Sequence, residues 1–154
     1  MLNYIWDGSR LLGDWLRNFE NGKLGEYICA VRLMKLGVSC EIGNLDTIDI
    51  IANHDESLLR IQVKASKLKR HRHSWTYQFA TCVTGKKRPM TKADCDIVAL
   101  VALDCERVLF KPVNKLKGQI TKRVLPRKFD DDYLESKSWE NCLVEHIRCN
   151  SSAL

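Results

Sequence analysis

Residues 46–64 place charged and amide side chains inside segments that are otherwise apolar. Asp49 lies within the mostly β-branched run at 48–52, where a buried carboxylate is costly unless a cation or hydrogen-bond donors satisfy it. Gln62 and Lys64 follow on the next predicted strand, separated by a single residue. Oxygen ligands for a hard cation beside an ammonium group are what phosphodiester hydrolysis requires. The spacing therefore predicts a site for that chemistry.

Two strands joined by a tight turn would position these side chains. Residues 48–52 form the first predicted strand, 53–57 the turn, and 59–64 a second strand with strict alternation. Its apolar face carries Leu59, Ile61 and Val63, and its polar face carries Arg60, Gln62 and Lys64. Neighbouring strands joined in this way usually pair. We therefore expect Asp49, Gln62 and Lys64 at one end of one sheet, with Asp46 as a capping or turn residue before them.

The order of these motifs resembles the PD-(D/E)XK nuclease superfamily, which has an aspartate at one strand and (D/E)-x-K on the next. Here the aspartate is Asp49 and the second motif reads Gln62-Val63-Lys64. Upstream, Gly25-Glu26-Tyr27 looks like the helical glutamate motif of that superfamily. The segments 77–79, 96–103 and 108–113 look like the branch associated with group I introns, and 49–52 is similar to archaeal Holliday-junction resolvases. The likeness covers roughly residues 22–115.

The resemblance implies an α/β fold of the restriction-endonuclease-like type, a mixed central sheet flanked by helices. It implies a Mg²⁺-dependent DNA endonuclease, with Mn²⁺ able to substitute, that acts as a homodimer or homotetramer and leaves 5′-phosphate and 3′-hydroxyl ends. The implied metal ligands are Asp49, Gln62, the Val63 carbonyl and Glu26. The implied role of Lys64 is to orient or deprotonate the attacking water. Homing, restriction, junction-resolving and repair activities all stay open.

One residue departs from the superfamily pattern. Gln62 stands where most members carry an acid, and a neutral amide offers a metal only its carbonyl oxygen. The alternative is a catalytically inactive nucleic-acid-binding module of the same fold. Metal dependence distinguishes these two functions, because a binding module would keep its DNA affinity in chelator and would never cut.

Basic residues are concentrated in two stretches, 64–92 and 107–128, which contain no Asp or Glu. Together they hold 17 of the 25 Lys and Arg, so the rest of the chain has 8 basic and 19 acidic residues. Such segregation indicates an electropositive face for DNA. Trp75 could stack on a base or pack in the core. The residues predicted to contact DNA are Lys67, Lys69, Arg70, Arg72, Trp75, Lys86, Lys87 and Arg88.

Two helices are predicted before the central hairpin. The first, 8–19, carries an apolar stripe of Leu12, Trp15, Leu16 and Phe19 and is interrupted at Asn21-Gly22. The second, 23–36, is predicted to face inward through Leu24, Tyr27, Ile28, Val31 and Met34. Further strands are predicted at 38–42, 76–83, 96–103 and 108–113. A final helix after 130–132 carries Tyr133, Leu134, Trp139, Leu143 and Ile147.

Length and composition favour one nuclease-like domain over residues 1–154, with its core at about 22–115. The chain has 154 residues, of which 45% are hydrophobic, enough for one ordinary core. Its seven cysteines include no C-x-x-C pair, which argues against a zinc site. Their odd number indicates reduced thiols, and we expect a cytoplasmic or nucleoid-associated protein. No apolar run is long enough for a membrane span, so we expect no membrane partner.

Overall fold

The computed structural model describes residues 8–45 and 48–152. Asp46 lies outside these residues, and so do the side chains of Leu12, Trp15 and Leu16. Two short 3₁₀ turns complete the regular structure, at Val113–Leu116 and Pro126–Asp130. The helices and strands are, in chain order, α1 (Gly8–Lys35), β1 (Ser39–Leu45), β2 (Ile48–His54), β3 (Ser57–Ser66), β4 (Leu68–His71), β5 (Ser74–Ala80), β6 (Ile97–Ala102), β7 (Arg107–Pro112), β8 (Thr121–Val124) and α2 (Leu134–Ser151).

A mixed five-stranded sheet with the order β1-β2-β3-β6-β7 forms the centre of the fold. β3 and β6 are parallel, and the other neighbours are antiparallel. This confirms the predicted α/β fold class. It also confirms the central hairpin, in which Ile50 pairs with Ile61 and Ala52 with Leu59.

Every residue of β6 is buried, which places the strand between two hydrophobic cores. Ile97, Ala99 and Val101 pack with both helices, while Val98, Leu100 and Ala102 pack with β5 and β8. A strand covered on both faces reads as a continuous apolar run. The run at 97–102 therefore takes the place beside β3 in the central sheet.

The predicted third core strand, 76–83, is β5, and it belongs to a second sheet with the order β4-β5-β8. Tyr77 and Phe79 point into the core, whereas Gln78 and Ala80 are exposed. This alternation suits a sheet with one solvent face and not a doubly covered central position. The second sheet thus lies against the side of the central sheet opposite the helices.

The predicted interruption at Asn21-Gly22 is wrong, because α1 is one helix of 28 residues that includes both positions. A glycine inside a helix costs about 1 kcal/mol relative to alanine. That cost is small beside the hydrogen bonds and packing that a continuous helix gains. No helix within the described residues is long and apolar enough to cross a membrane.

The predicted inward face of α1 is also wrong in four of its five residues. Ile28 is buried as predicted. The other four side chains are exposed, namely Leu24, Tyr27, Val31 and Met34. The buried row instead consists of mostly small side chains, Gly25, Cys29, Ala30 and Leu33. Small residues let a helix approach a sheet closely, so the row with the least apolar bulk became the packed face.

The final helix, α2, packs on β7. The rings of Phe110 and Trp139 meet edge to face with centroids 5.3 Å apart, and Arg107 Nε lies 2.8 Å from Glu135 Oε1. Of the predicted helix residues, Leu134 and Trp139 are buried, whereas Tyr133 and Ile147 are exposed.

Candidate active site

The central hairpin brings Asp49 and Gln62 into direct contact. The Gln62 side-chain amide donates a hydrogen bond through Nε2 to Asp49 Oδ2. The Val63 backbone N–H donates to the same oxygen at 2.7 Å. Within the described residues Asp49 Oδ1 accepts no hydrogen bond. The carboxylate is thus held in one orientation with its second oxygen available to a ligand.

Glu26 reaches this site because α1 approaches β3 very closely. A Cβ added at Gly25 would lie 2.7 Å from Ala65 Cβ, so only glycine fits there without a shift. The next residue, Glu26, is 9% exposed, and its Oε2 accepts a hydrogen bond from Lys23 Nζ at 2.8 Å. The close packing therefore turns a helical carboxylate toward the end of the sheet.

Burial raises the pKa of Asp49 above its ordinary value. The Val63 N–H opposes this shift, the negative charge of Glu26 adds to it, and Lys64 and Lys23 lower the pKa again. A carboxylate that is desolvated and faces a second carboxylate is stabilised by a nearby cation. A cation between or beside the carboxylates of Asp49 and Glu26 would therefore be bound favourably.

Lys64 is half-buried on β3, and its Nζ lies 3.5 Å from Thr84 Oγ1. It shares a cleft of about 390 Å³ with Glu26, Asp49 and Gln62. The structure therefore brings together the four residues that the sequence singled out. Their assigned roles in catalysis stay predictions.

The donor set fits a hard cation that is held weakly. Within the described residues no group of three or more His, Cys, Asp or Glu could hold a metal ion. Two carboxylates, an amide oxygen and a backbone carbonyl are all oxygen donors of the kind that Mg²⁺ prefers. Mg²⁺ commonly binds through one or two carboxylates and completes its shell with water and substrate phosphate.

The predicted DNA contacts fall into three groups. Lys67 and Lys69 line the same cleft as Asp49. The hairpin of β4 and β5 exposes Arg70, Arg72 and Trp75, and the tryptophan is 55% exposed. Trp75 is therefore available for stacking.

The third group lies in the turn after Thr84. Lys86 and Lys87 are exposed there. Arg88 instead forms a two-pronged ion pair with Asp94, with contacts of 2.9 and 2.7 Å. The pair holds the pKa of Asp94 well below its usual range, so Arg88 has a structural role in this turn.

Three residues that the structure places in the site were assigned no role in it from the sequence. Lys23 pairs with Glu26, Thr84 contacts Lys64, and Gln78 lines the cleft. The signal for Lys23 was present, because a lysine three residues before a helical glutamate lies on the same face. Thr84 and Gln78 come from distant segments, and no local pattern places them beside β3.

Comparison with known proteins gives a result at the level of fold. No protein-family model matches the chain, and no curated protein sequence matches it. Among solved structures, the bacterial homing endonuclease I-Ssp6803I superimposes with a TM-score of 0.62 at 17% sequence identity. The match covers 86% of this chain and 95% of the endonuclease. The fold resembles that of a homing endonuclease.

Proposed function

We propose that this chain is a metal-dependent endonuclease that hydrolyses phosphodiester bonds in DNA. The proposal rests on one cleft that holds two carboxylates, an amide and an ammonium group, contributed by Glu26, Asp49, Gln62 and Lys64. Basic residues line the same cleft, and they suit a polyanionic substrate. The fold, similar to that of a bacterial homing endonuclease, agrees with this function.

Asp49 would bind the cation through Oδ1, the oxygen that no described residue occupies. The Gln62 side-chain oxygen and the Val63 carbonyl would add neutral ligands. Glu26 would hold a second cation or its water. When bound, Mg²⁺ or Mn²⁺ supplies positive charge at the scissile phosphate and acidifies a coordinated water.

Lys64 would act on the attacking water and on the charge that develops during the reaction. Its Nζ lies at the edge of the cleft beside Thr84. An ammonium group there can orient a water and stabilise negative charge on the phosphate oxygens. Cleavage of the bond to the 3′ oxygen gives 5′-phosphate and 3′-hydroxyl ends.

The proposal is tested by cleavage of supercoiled plasmid, linear duplex, single strand and four-way junction with Mg²⁺, with Mn²⁺ and with EDTA. We expect nicking or cutting of at least one substrate in either metal and none in EDTA. The substrate that reacts fastest distinguishes homing and restriction activities from junction resolution. Failure to cut any substrate under any divalent cation would contradict the proposal.

A second function is favoured by the bond between Gln62 and Asp49. The amide donates to the carboxylate, so Gln62 holds Asp49 in place without a metal. An inactive nucleic-acid-binding module would use only the basic surface. It would bind DNA equally in EDTA and Mg²⁺, and it would cut in neither.

We also propose that the chain forms a homodimer or homotetramer. The support is the exposed apolar stripe on α1, formed by Leu24, Tyr27, Val31 and Met34. Contiguous exposed apolar residues are typical of association surfaces. Sedimentation equilibrium of the protein should give a mass of two or four chains.

A further inference from the structure

The second sheet has one polar face, and apart from Thr76, which is 7% exposed, this outer face is largely open to solvent. Tyr77, Phe79 and Val124 point into the core. The cross-strand register places Lys69 opposite Thr76, Gln78 opposite Arg123, and Ala80 opposite Thr121. The exposed members of this outer face are Lys69, Ser74, Gln78, Ala80, Thr121 and Arg123.

The side chains of Gln78 and Arg123 do not hold the fold together. Within the described residues, neither the Gln78 side-chain amide nor the Arg123 guanidinium makes a hydrogen bond or an ion pair. Arginines with structural roles behave differently, since Arg60, Arg88 and Arg107 pair with Asp96, Asp94 and Glu135. The strands β4, β5 and β8 contain no acidic residue. Gln78 and Arg123 are therefore free to contact a ligand.

The outer face is continuous with the candidate active site. Lys69 and Gln78 line the cleft that contains Asp49 and Lys64. Gln78 also lines an adjoining hollow of about 450 Å³, together with Gln119, Thr121, Lys122 and Arg123. A duplex with a phosphate at Asp49 would place a neighbouring groove against this face.

The dimensions and side chains of the outer face suit the major groove of DNA. Gln78 and Arg123 lie on two neighbouring strands, β5 and β8, about 5 Å apart, and the major groove, about 12 Å wide, admits a two-stranded β-ribbon. Glutamine can form two hydrogen bonds with adenine N6 and N7, and arginine can form two with guanine O6 and N7. Ala80 and Thr121 are short, so Gln78 and Arg123 are the longest side chains on the outer face of the β5–β8 pair and can reach base edges.

We propose that the outer face of the β4-β5-β8 sheet reads base pairs in the major groove, with Gln78 and Arg123 as specificity-determining residues. This inference rests on the proposed function, because it takes DNA as the substrate. It adds sequence recognition to the phosphate contacts that the proposed function gives to the basic residues.

The test is selection of bound sequences from a randomised DNA duplex pool in EDTA, where catalysis plays no part. The wild-type chain should enrich a defined sequence. Gln78→Ala and Arg123→Ala should each relax the preference at one or two base pairs and weaken binding to the wild-type sequence about tenfold. Gln78→Arg should change a preferred adenine to guanine at one position and not abolish binding.

Matched controls are Asn53→Ala, at an exposed position of β2, and Arg148→Ala, at an exposed position of α2. Both should enrich the wild-type sequence. Far-ultraviolet circular dichroism and thermal melting of each variant exclude misfolding as the cause of a change. Gln78→Arg adds an independent result, because a switched base preference requires a folded protein.

The proposal would be overturned if Gln78 and Arg123 variants enriched the wild-type sequence with unchanged affinity. It would also be overturned if they weakened binding equally for all sequences, because that result means phosphate contact alone. A wild-type chain that cuts DNA but enriches no sequence would contradict recognition and leave the nuclease function standing. A chain that enriches a sequence but cuts nothing would contradict only the nuclease function.

Discussion

At the scale of single residues, Gln62 stands at a proposed metal-ligand position where an acidic residue would be expected. It orients Asp49 through Nε2 and offers a cation only a neutral oxygen. Gln62→Glu should therefore lower the Mg²⁺ concentration needed for half-maximal cleavage several-fold, since a carboxylate binds a hard cation more tightly. The measurement is a Mg²⁺ titration of the cleavage rate. Unchanged metal dependence with wild-type activity would show that position 62 is not a ligand.

The raised pKa of Asp49 predicts a specific dependence of stability on pH. Between the ordinary pKa of aspartate, about 4, and the raised folded value, the folded chain binds more protons than the unfolded chain. The free energy of unfolding contributed by this group therefore falls as pH rises through that window. Asp49→Asn removes the ionisation and can still accept the Val63 N–H bond. The melting temperature of Asp49→Asn minus that of wild type should therefore increase as the pH is raised toward 7.

Thermal melting in EDTA at pH values from about 4 to 7 tests this linkage. Added Mg²⁺ should stabilise the wild type more than Asp49→Asn, because a cation favours the ionised carboxylate. A difference in melting temperature that stayed constant with pH would show that Asp49 does not titrate within this range in the folded chain.

At the scale of elements, the contact between α1 and β3 fixes the position of Glu26. Gly25→Ala would place a methyl group 2.7 Å from Ala65 Cβ, so the helix must move away from the strand. We expect a lower melting temperature and a lower cleavage rate, despite the better helix propensity of alanine. Gly22→Ala is the matched control, because nothing lies within 4 Å of its added Cβ. The control should gain up to about 1 kcal/mol of stability.

Equal stabilisation by both glycine substitutions would show that the helix and strand can separate without cost. Circular dichroism melting of the two variants decides between these outcomes. Cleavage rates then show whether displacement of Glu26 affects the reaction.

The elements also show what the sequence could predict. Alternation at 59–64 and the turn before it predicted the hairpin correctly, because these signals are local. The inward face of α1 was mispredicted, since Leu24, Tyr27 and Val31 form the more apolar stripe but remain exposed. The face of α1 that packs on the sheet carries mostly smaller side chains, because they allow a closer approach. The pairing of β5 with β8 in a second sheet joins segments far apart in the chain, so the sequence did not predict which strands pair there.

At the scale of the whole molecule, the segregation of basic residues predicts that DNA affinity falls steeply as the salt concentration rises. Lys86 and Lys87 are exposed, whereas Arg88 is paired with Asp94. Each phosphate contact adds about 0.9 to the slope of log affinity against log salt. Removing both lysines should therefore lower the magnitude of that slope by roughly two.

Titrations at several salt concentrations on two unrelated duplexes measure this slope. Removal of Lys35 and Lys137, which lie on the two helices, changes the net charge equally and should leave the slope unchanged. Identical slopes for both double variants and wild type would exclude the turn at 86–87 from the DNA interface.

The central claim is that the cleft around Asp49 and Lys64 hydrolyses phosphodiester bonds. The direct measurement is single-turnover cleavage of supercoiled plasmid in Mg²⁺ by wild type and Lys64→Ala, with DNA binding of both measured in EDTA. We predict that Lys64→Ala loses at least about a hundredfold in cleavage rate and less than about tenfold in affinity. Lys35→Ala, at the end of α1, should match wild type in both. Cleavage by Lys64→Ala at the wild-type rate would contradict the assignment of this site.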